Sequence, residues 1–339
     1  MKLKKYENNP ILFPNPKNEW ENLCVLNPAV IYDEAKKEFV MLYRAAGDTY
    51  EHYIYLGLAT SKDGYNFERQ SDKPNFEPDY NGADGGCVED PRLVKIGDWY
   101  YLTYASRPYA PGRYWLDEPK PWVNPPVTGP TYLNNNATLT FLAITQDFKT
   151  YKKLGRMTDS RYDDRDVFIF PEKINGKWVR LSRPMEMCGE GYENENPAIW
   201  ITFSDDMLEW GKPELLYKGR TWWESKKIGG SCPPIKTEDG WFFIYHGVSA
   251  EDHSYRVGAM LLDLEDPRKI LAITEDFILE PEFDYEKKGY YNGCVFPTAN
   301  VVVDGTLYVY YGAADKFVCV ATCDFQELVN HIKKQKYVK

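Results

Sequence analysis

The amino-acid sequence predicts an all-β protein, a five-bladed β-propeller with a short C-terminal helix, because one pattern of strands occurs five times. Each copy has an apolar strand, a short acidic or glycine-containing turn, an aromatic-rich strand, and a third strand with a polar tail. The first two strands of the copies cover residues 28–46, 90–107, 166–184, 232–249 and 296–315. The third strands with their tails cover residues 56–67, 141–151, 199–210, 259–270 and 318–328. A strand repeat of this size is typical of a propeller, and five copies indicate five blades around a central funnel.

We expect one domain over residues 1–339. No linker rich in proline, glycine or serine interrupts the 339 residues, and this length suits one five-bladed ring. Residues 1–26 are expected to form a partly extended segment before the first blade. Residues 325–337 have a helical apolar period and basic residues near their end, which predicts a short amphipathic helix.

The second blade contains an insertion at about residues 108–138. It lengthens the spacing between the first two copies and is rich in proline and aromatic residues, with no helical or alternating period. Long ordered loops often form active-site lids or interfaces. We expect the insertion to shape the acceptor side of a site or to support a homo-oligomer. The alternative is a surface loop that only lengthens one blade.

The composition narrows the classes of partner. The net charge of −10 and the pI near 5.1 argue against nucleic acids and anionic membrane surfaces as ligands. The seven cysteines are scattered and mostly lie in apolar strands, which favours reduced core residues over a disulfide framework. We find no zinc-binding spacing, no signal-peptide pattern and no apolar segment of membrane-spanning length. We therefore expect a cytoplasmic protein without a metal site or a membrane partner.

The propeller itself predicts a functional site, because the ends of the innermost strands meet around one axis. The first positions of the inner strands hold Asn27, Asp90, Arg165–Asp166, Ser231 and Thr298. The last positions of the second strands hold Arg44, Arg107, Arg183, His246 and Tyr311–Asp315. Apolar residues would close a small ring more cheaply, since an unpaired buried charge is strongly unfavourable. Polar residues that differ from blade to blade at these places therefore indicate a ligand.

Asp90 is the candidate catalytic acid. It lies in the segment GGCVEDPRLV, between Glu89 and Pro91, at the mouth of an inner strand. Pro91 restricts the backbone, and apolar surroundings would raise the pKa of the Asp90 carboxyl, as general-acid catalysis requires. The alternative is an aspartate that caps a turn. We expect Glu89 to be structural.

An anion-binding site is predicted from four basic side chains of the third and fourth blades: Arg165, Arg183, Lys227 and His246. Arginine binds a tetrahedral oxyanion in a bidentate manner, and lysine binds it as a point charge. The alternative is a set of salt bridges to Asp163, Asp164, Asp166 and Glu186.

Groups suited to sugar hydroxyls come from the first and fifth blades, which are neighbours in a closed ring: Asn27, Arg44 and Asp315. The segment MEMCGEGYENENP at residues 185–197 adds Glu186, Glu190, Glu193 and Glu195. We expect this loop near the site, where one of its acids would be available as a general base.

These motifs together resemble glycoside hydrolase family 130, the mannoside phosphorylases and β-mannosidases. The resemblance covers essentially the whole chain. It is carried by LNPAV (26–30), YRAAGD (43–48), EDPRLVKI (89–96), RDVFIFPEKINGKWVRLSRP (165–184), WWESKKIG (222–229), IYHGV (244–248) and YYGAAD (310–315). The five-bladed fold of that family agrees with the repeat count.

The resemblance implies an inverting phosphorylase, a glycosyltransferase-type enzyme that transfers the mannosyl unit of a β-mannoside to inorganic phosphate and gives α-mannose 1-phosphate. Asp90 matches the catalytic acid, whose proton in part of the family passes through the 3-hydroxyl of the mannosyl ring. The phosphate-binding residues match Arg165, Arg183, Lys227 and His246. The residues expected to bind the substrate are Asn27, Arg44, Arg92 and Asp315. No cofactor is implied besides phosphate as co-substrate.

The expected substrates are β-1,4-mannosides: mannobiose, longer mannooligosaccharides, mannosyl-glucose or mannosyl-N-acetylglucosamine. One alternative is a β-mannosidase, for example on β-1,2 linkages, that uses water and a carboxylate pair; Glu224 and the glutamates at 186–195 keep it open. A glycosidase of the arabinan or fructan type would need three carboxylates at the inner-strand starts. The remaining alternative is a non-catalytic glycan-binding propeller.

Overall fold

The structure, a computed structural model, describes residues 1–116, 128–335 and 337. Its strands form five antiparallel sheets in chain order. Neighbouring sheets contact each other, and the last contacts the first. The predicted five-bladed β-propeller is therefore confirmed. Residues 117–127 of the predicted insertion lie outside the described residues.

The bounds of the strands follow the repeat closely. The first strand of the chain is β1 (Lys4–Lys5). Blade 1 contains β2 (Cys24–Asp33), β3 (Glu38–Ala46), β4 (Ile54–Ser61) and β5 (Glu68–Arg69). Blade 2 contains β6 (Glu89–Ile96), β7 (Trp99–Ser106), β8 (Leu139–Thr145) and β9 (Lys152–Arg156). Blade 3 contains β10 (Asp164–Ile169), β11 (Trp178–Pro184), β12 (Ile199–Ser204) and β13 (Glu214–Tyr217). Blade 4 contains β14 (Lys227–Gly230), β15 (Ile235–Thr237), β16 (Gly240–Val248), β17 (Tyr255–Leu262) and β18 (Ile270–Ile273). Blade 5 contains β19 (Val295–Val303), β20 (Thr306–Ala313), β21 (Phe317–Asp324) and, at its outer edge, β1.

The α-helices are short: the first lies in the insertion of blade 2, the second between blades 4 and 5, and the third after the last strand of blade 5. They are α1 (Thr131–Asn134), α2 (Asp284–Lys287) and α3 (Phe325–Lys333). The predicted C-terminal helix is thus present. The Asp324 side chain caps α3 by accepting a hydrogen bond from the Glu327 backbone N–H at 2.8 Å. Among the described residues, no helix has the length and apolar character needed to cross a membrane.

The core is divided into clusters that lie between neighbouring blades. Between blades 3 and 4, for example, Trp241 packs its edge against Phe170 with ring centroids 5.2 Å apart. Both side chains are buried. Burying a large apolar side chain of this kind stabilises a fold by about 1.5–3 kcal/mol. The blades are therefore held mainly by face-to-face packing, which leaves the inner-strand ends free for other roles.

The ring is closed by the N-terminal strand. β1 pairs with β21 in an antiparallel register that places Lys4 opposite Thr322. The Lys5 ammonium donates to Glu286 Oε2 at 2.7 Å, and Glu286 also accepts from the Tyr311 hydroxyl at 2.8 Å. Glu286 is fully buried, so this pair ties the first strand to the interior of blade 5.

Bulges in the inner strands turn particular side chains toward the axis. The pairing of β2, β6, β10 and β19 with the next strand shifts register at the same place in each blade. Asn27, Asp90 and Asp166 occupy the bulges of the first three blades with φ of 42°, 49° and 56°. Asparagine and aspartate tolerate this left-handed conformation better than most residues, and a bulge re-aims the side chain that it carries.

Candidate active site

A cavity of about 440 Å³ opens at the end of the central channel where the bulges lie. Seven of the nine predicted site residues line it: Asn27, Arg44, Asp90, Arg165, Arg183, Lys227 and Asp315. Arg92 and His246 are not among its lining residues, and both lie behind it in contact with Asp166. The cavity therefore joins most of the side chains that the repeat singled out.

Asp90 is held by two donors from blade 1. The Asn27 amide donates to Asp90 Oδ1 at 2.7 Å, and Arg44 Nη1 donates to the same oxygen at 2.8 Å. Arg44 Nη2 also pairs with Glu89 Oε2 at 2.8 Å. These contacts fix the carboxylate within the cavity and connect it to the predicted sugar-binding groups.

The protonation of Asp90 differs from the expectation. Burial favours the neutral carboxyl, but the charges of Arg44 and Arg92 and the Asn27 hydrogen bond outweigh it and lower the pKa of Asp90. The expected raised pKa is therefore wrong. The sequence identified Asp90, Arg44 and Arg92 as site residues, but not that the two guanidiniums lower the pKa of the Asp90 carboxyl.

The basic side chains form salt bridges and also line the cavity. Arg165 makes a bidentate contact with Asp163, from Nε to Oδ1 at 2.6 Å and from Nη2 to Oδ2 at 2.9 Å. Arg183 Nε donates to Asp166 Oδ2 at 2.6 Å. Both arginines nevertheless line the cavity, so the salt-bridge interpretation and the anion-site interpretation hold together for these residues.

Asp166 is the common partner of this basic group. Its carboxylate lies 2.6 Å from Arg183 Nε, 3.4 Å from Arg92 Nη2 and 3.6 Å from His246 Nε2. Burial opposes ionisation, but Arg183, His246 and Arg92 lower the pKa of Asp166 far below its usual range. One aspartate is thus shared among three basic groups, which leaves the cluster short of negative charge.

Two basic groups in the cluster have lowered pKa values. Burial, together with Arg183 and Arg165, lowers the pKa of Lys227 to about 7 against the opposing pull of Asp166. Burial lowers the pKa of His246 to about 3 against the opposing pull of Asp166, and Arg183 and Lys227 lower it further. His246 is therefore neutral near pH 7, with Nδ1 3.1 Å from the Ser231 hydroxyl. An anion in the cavity would favour the charged form of Lys227.

The pKa of Asp315 is raised, in contrast to the lowered pKa values of the groups described above. Burial raises the pKa of this carboxyl to about 6; nearby Asp90 and Glu89 add to the rise, and Arg44 opposes it. The residue has a φ of 54°, which aspartate tolerates. A carboxyl that titrates near neutral pH can donate or accept a hydrogen bond to a sugar hydroxyl.

Two glycines make room for these groups. A Cβ on Gly229 would overlap Asp166 Oδ2 and lie 2.7 Å from His246 Cε1. A Cβ on Gly312 would overlap Asn27 Oδ1. The glycines of WWESKKIG and YYGAAD therefore let the backbone approach the site, a requirement that the motifs alone did not reveal.

The glutamates considered as general bases do not line the cavity. Glu224 is buried and accepts hydrogen bonds from the hydroxyls of Tyr217 and Tyr245 and from two backbone N–H groups. Glu186 accepts from the backbone N–H of Asp163 at 2.9 Å, and Glu193 lines a separate groove beside blade 3. The carboxylates on the cavity wall are Glu89, Asp90, Asp166 and Asp315.

Several lining residues were not predicted as site residues. They are Ile54, Glu89, Ala105, Arg107, Pro111, Tyr114, Asn136, Thr138, Asp166, Tyr255, Tyr291, Cys294 and Phe296. Asp166 stood at a predicted inner-strand start but was weighed only as a salt-bridge partner. Pro111, Tyr114 and Asn136 lie in the insertion, whose path over the ring the repeat pattern does not encode.

The described part of the chain, 1–116, 128–335 and 337, contains no cluster of three or more His, Cys, Asp or Glu side chains that could hold a metal ion. The seven cysteines are free. The expected lack of a metal or organic cofactor stays a prediction.

Known proteins resemble this chain over nearly its full length. The sequence profile of glycoside hydrolase family 130, described as beta-1,4-mannooligosaccharide phosphorylase, matches residues 2–124 and 128–334. A 1,2-beta-oligomannan phosphorylase of Thermoanaerobacter sp. (strain X514) is 40% identical over 336 residues, which are 97% of this chain and 99% of that protein. A beta-1,2-mannobiose phosphorylase of the same organism is 37% identical over 96% of this chain and 99% of its own length.

Among solved structures, the beta-1,2-mannobiose phosphorylase from Listeria innocua, in complex with beta-1,2-mannobiose, has a TM-score of 0.79 and 27% identity. The alignment covers 99% of this chain and 100% of that one. The family profile, the relatives and the shared propeller agree with the motifs around the cavity. The chain belongs to glycoside hydrolase family 130.

Proposed function

We propose that the protein is an inverting β-mannoside phosphorylase that transfers a mannosyl unit to inorganic phosphate. The supporting observation is one cavity lined by Arg165, Arg183 and Lys227 from blades 3 and 4 and by Asn27 and Arg44 from blade 1. The first group suits a phosphate, and the second suits sugar hydroxyls. The relatives named above are phosphorylases of β-mannosides.

The reaction exchanges one bond for another at the anomeric carbon. A phosphate oxygen attacks this carbon on the face opposite the leaving sugar, the bond to the leaving oxygen breaks, and a proton passes to that oxygen. Inversion converts the β-mannoside into α-mannose 1-phosphate. In formal terms this is a hexosyl transfer, and the second product is the shortened acceptor.

Arg165 and Arg183 supply fixed positive charge for the phosphate, because carboxylates hold their guanidiniums from behind. The pKa of Lys227 is about 7, and the negative charge of an entering anion favours its protonated form. His246 supports Arg183 through their shared contact with Asp166. The phosphate thus completes the charge balance of the cluster.

Asp90 is the proposed catalytic acid, as the family resemblance implies. Its lowered pKa means that the carboxylate is ionised before substrates bind. A bound phosphate brings negative charge that offsets nearby guanidiniums, which raises the pKa of Asp90 toward the protonated form. The proton would reach the leaving oxygen through the 3-hydroxyl of the mannosyl ring. Asn27 and Arg44 orient the carboxyl for this transfer.

The proposal also specifies the linkage of the mannoside substrate. The sequence alone favoured β-1,4-mannosides, and the family profile carries that description. The two relatives at 40% and 37% identity act on β-1,2-linked substrates by name. We therefore propose a β-1,2-mannoside as the first substrate and a β-1,4-mannooligosaccharide as the second.

The hydrolytic alternative has less support. An inverting hydrolase needs a general base that activates water opposite the acid. The glutamates considered for that role, Glu224 and those at 186–195, lie outside the cavity wall. The cytoplasmic location and the homo-oligomer expected from the sequence stay predictions.

The test incubates the protein with β-1,2-mannobiose or β-1,4-mannobiose, each with and without phosphate. The expected products with phosphate are equimolar α-mannose 1-phosphate and mannose, with the anomer identified by phosphorus and proton NMR. Faster turnover of the β-1,2 disaccharide would support the proposed linkage. Release of mannose at the same rate without phosphate would contradict phosphorolysis.

A further inference from the structure

The insertion of blade 2 begins as a strap, residues 108–116, whose base is fixed to its own blade. The Asn136 side chain accepts from the Tyr109 backbone N–H at 2.9 Å and donates to the Tyr109 carbonyl at 3.0 Å. Gly86 donates its N–H to the Arg107 carbonyl at 2.8 Å. A Cβ on Gly86 would overlap the Tyr109 backbone. The strap therefore leaves blade 2 in a defined direction.

The strap then crosses to blade 1. The Gly112 N–H donates to the Glu51 carbonyl at 2.9 Å, and Arg113 Nη2 lies 3.2 Å from Asp48 Oδ1. Arg113 Nε also donates to the Thr49 carbonyl at 3.3 Å. These contacts dock residues 112–113 on the loop that joins the second and third strands of blade 1.

Aromatic packing completes the docking. The ring of His52 contacts Tyr114 and Trp115 edge-on, with centroids 5.4 and 4.4 Å away. Burial lowers the pKa of His52 to about 4, so the ring is neutral and packs as an uncharged surface. The ring of Trp115 contacts that of Tyr290, in the segment that leads into blade 5, with centroids 6.0 Å apart. The strap thus spans from blade 2 over blade 1 to blade 5.

The strap and the basic residues proposed to bind phosphate lie on opposite sides of the propeller axis. In a ring of five, blade 1 faces the junction of blades 3 and 4, and these two blades supply Arg165, Arg183 and Lys227. In an inverting displacement the nucleophile and the leaving group occupy opposite faces of the sugar. If phosphate binds to these cations as proposed, the leaving sugar is expected on the side of blade 1 and the strap.

We infer that Tyr114 of the strap forms the wall against which the leaving, or acceptor, sugar packs. Tyr114 lines the cavity beside Pro111 and remains 44% exposed. Its ring is positioned by His52 behind it and offers an apolar face to a pyranose. This inference rests on the proposed function, and it identifies Tyr114 as a specificity-determining residue for the acceptor.

The first test measures equilibrium binding by calorimetry, which requires no turnover. Wild type, Tyr114→Ala and Tyr114→Phe are titrated with mannose, with β-1,2-mannobiose and with phosphate. In Tyr114→Ala, mannobiose binding is expected to weaken by roughly two- to tenfold, as the loss of an aromatic contact implies. Mannose is the leaving sugar of mannobiose, so its binding should weaken in the same direction. Binding of phosphate should stay within about twofold of wild type, and Tyr114→Phe should retain mannobiose binding.

The second test runs the reaction in reverse, from mannose 1-phosphate and an acceptor mannoside. Tyr114→Ala should raise the acceptor KM and leave the mannose 1-phosphate KM unchanged. Tyr80→Ala is the matched control, since Tyr80 is another half-exposed tyrosine of the chain and does not line the cavity.

Unchanged mannobiose binding in Tyr114→Ala, or an equal loss of phosphate binding, would overturn the inference. A wild-type protein that binds mannobiose through Tyr114 but forms no mannose 1-phosphate would instead overturn the proposed function.

Discussion

Arg183 donates a hydrogen bond from Nε to Asp166 Oδ2 at 2.6 Å, although both residues are buried beside a cavity that accepts an anion in the proposed reaction. The aspartate holds the guanidinium from behind and leaves its other edge toward the cavity. Two further basic groups, Arg92 and His246, share the same carboxylate.

Substitution of Asp166 with asparagine should impair phosphate binding. The change removes the charge that orients Arg183 and leaves three basic groups without their shared partner. We expect the phosphate KM to rise at least tenfold, and the free energy of unfolding to fall by about 3–5 kcal/mol, as for other broken buried ion pairs. Steady-state kinetics with varied phosphate and chemical denaturation measure the two effects.

Asp205→Asn is the control for this prediction. Asp205 pairs with Lys177 on the surface, so its loss should change stability by at most about 1 kcal/mol. A phosphate KM in Asp166→Asn that matches this control would contradict the role of Asp166.

Substitution of Asp90 with asparagine should abolish turnover while the fold persists. The change keeps the shape of the side chain and removes the group that transfers the proton. We expect kcat to fall by about 10²–10⁴, which is typical for loss of a general acid. Thermal unfolding checks that the melting temperature stays close to that of wild type. Near wild-type kcat would remove Asp90 from the mechanism.

The pH dependence of phosphate binding should reflect the protonation of Lys227. Its pKa is lowered to about 7, so the unfolded chain binds more protons than the folded protein between about pH 7 and the ordinary lysine range near 10.4. The lowered pKa therefore reduces the free energy of unfolding by its full amount below pH 7. This loss of stability disappears as the pH rises from about 7 to the ordinary lysine range. Phosphate favours the protonated form, so its KM should rise above pH 7.

Lys227→Met provides the comparison for this profile. Phosphate itself titrates in the same range, and only the difference between the two proteins reports the lysine. We expect a flatter increase of the phosphate KM from pH 6 to 9 in Lys227→Met. Parallel profiles in the two proteins would contradict a titrating Lys227.

Glu224→Gln should lower stability without removing activity. The carboxylate accepts hydrogen bonds from Tyr217, Tyr245 and the backbone of Arg220 and Thr221. Loss of buried acceptors of this kind costs on the order of 3 kcal/mol in the free energy of unfolding. Thermal unfolding and kcat at 25 °C measure the two properties. A large loss of kcat at unchanged stability would restore Glu224 as a catalytic base.

The sequence predicted the fold well because every blade repeats the same local pattern. It also located Asn27, Asp90 and Asp315, since the closed ring brings their strand ends together. The pKa of Asp90 could not be predicted in the same way, because it depends on the balance of burial against the charges of Arg92 in its own strand and of Arg44 from blade 1. The role proposed for Tyr114 could not be predicted from the sequence either. The strap docks on backbone carbonyls of residues 49 and 51, and the pattern of side chains does not encode such contacts.

The pairing of β1 with β21 has a consequence for biosynthesis. The outermost strand of blade 5 is made before the strands of blade 1, and its partner around Thr322 is made after the strands of blades 1 to 4. A nascent chain can complete blades one by one, but it cannot close the circle until the last sheet has left the ribosome. Until then Lys4–Lys5 remain unpaired, the last sheet is incomplete, and the central cavity lacks the wall that blade 5 supplies. Activity should therefore appear only after the strand around Thr322 has emerged.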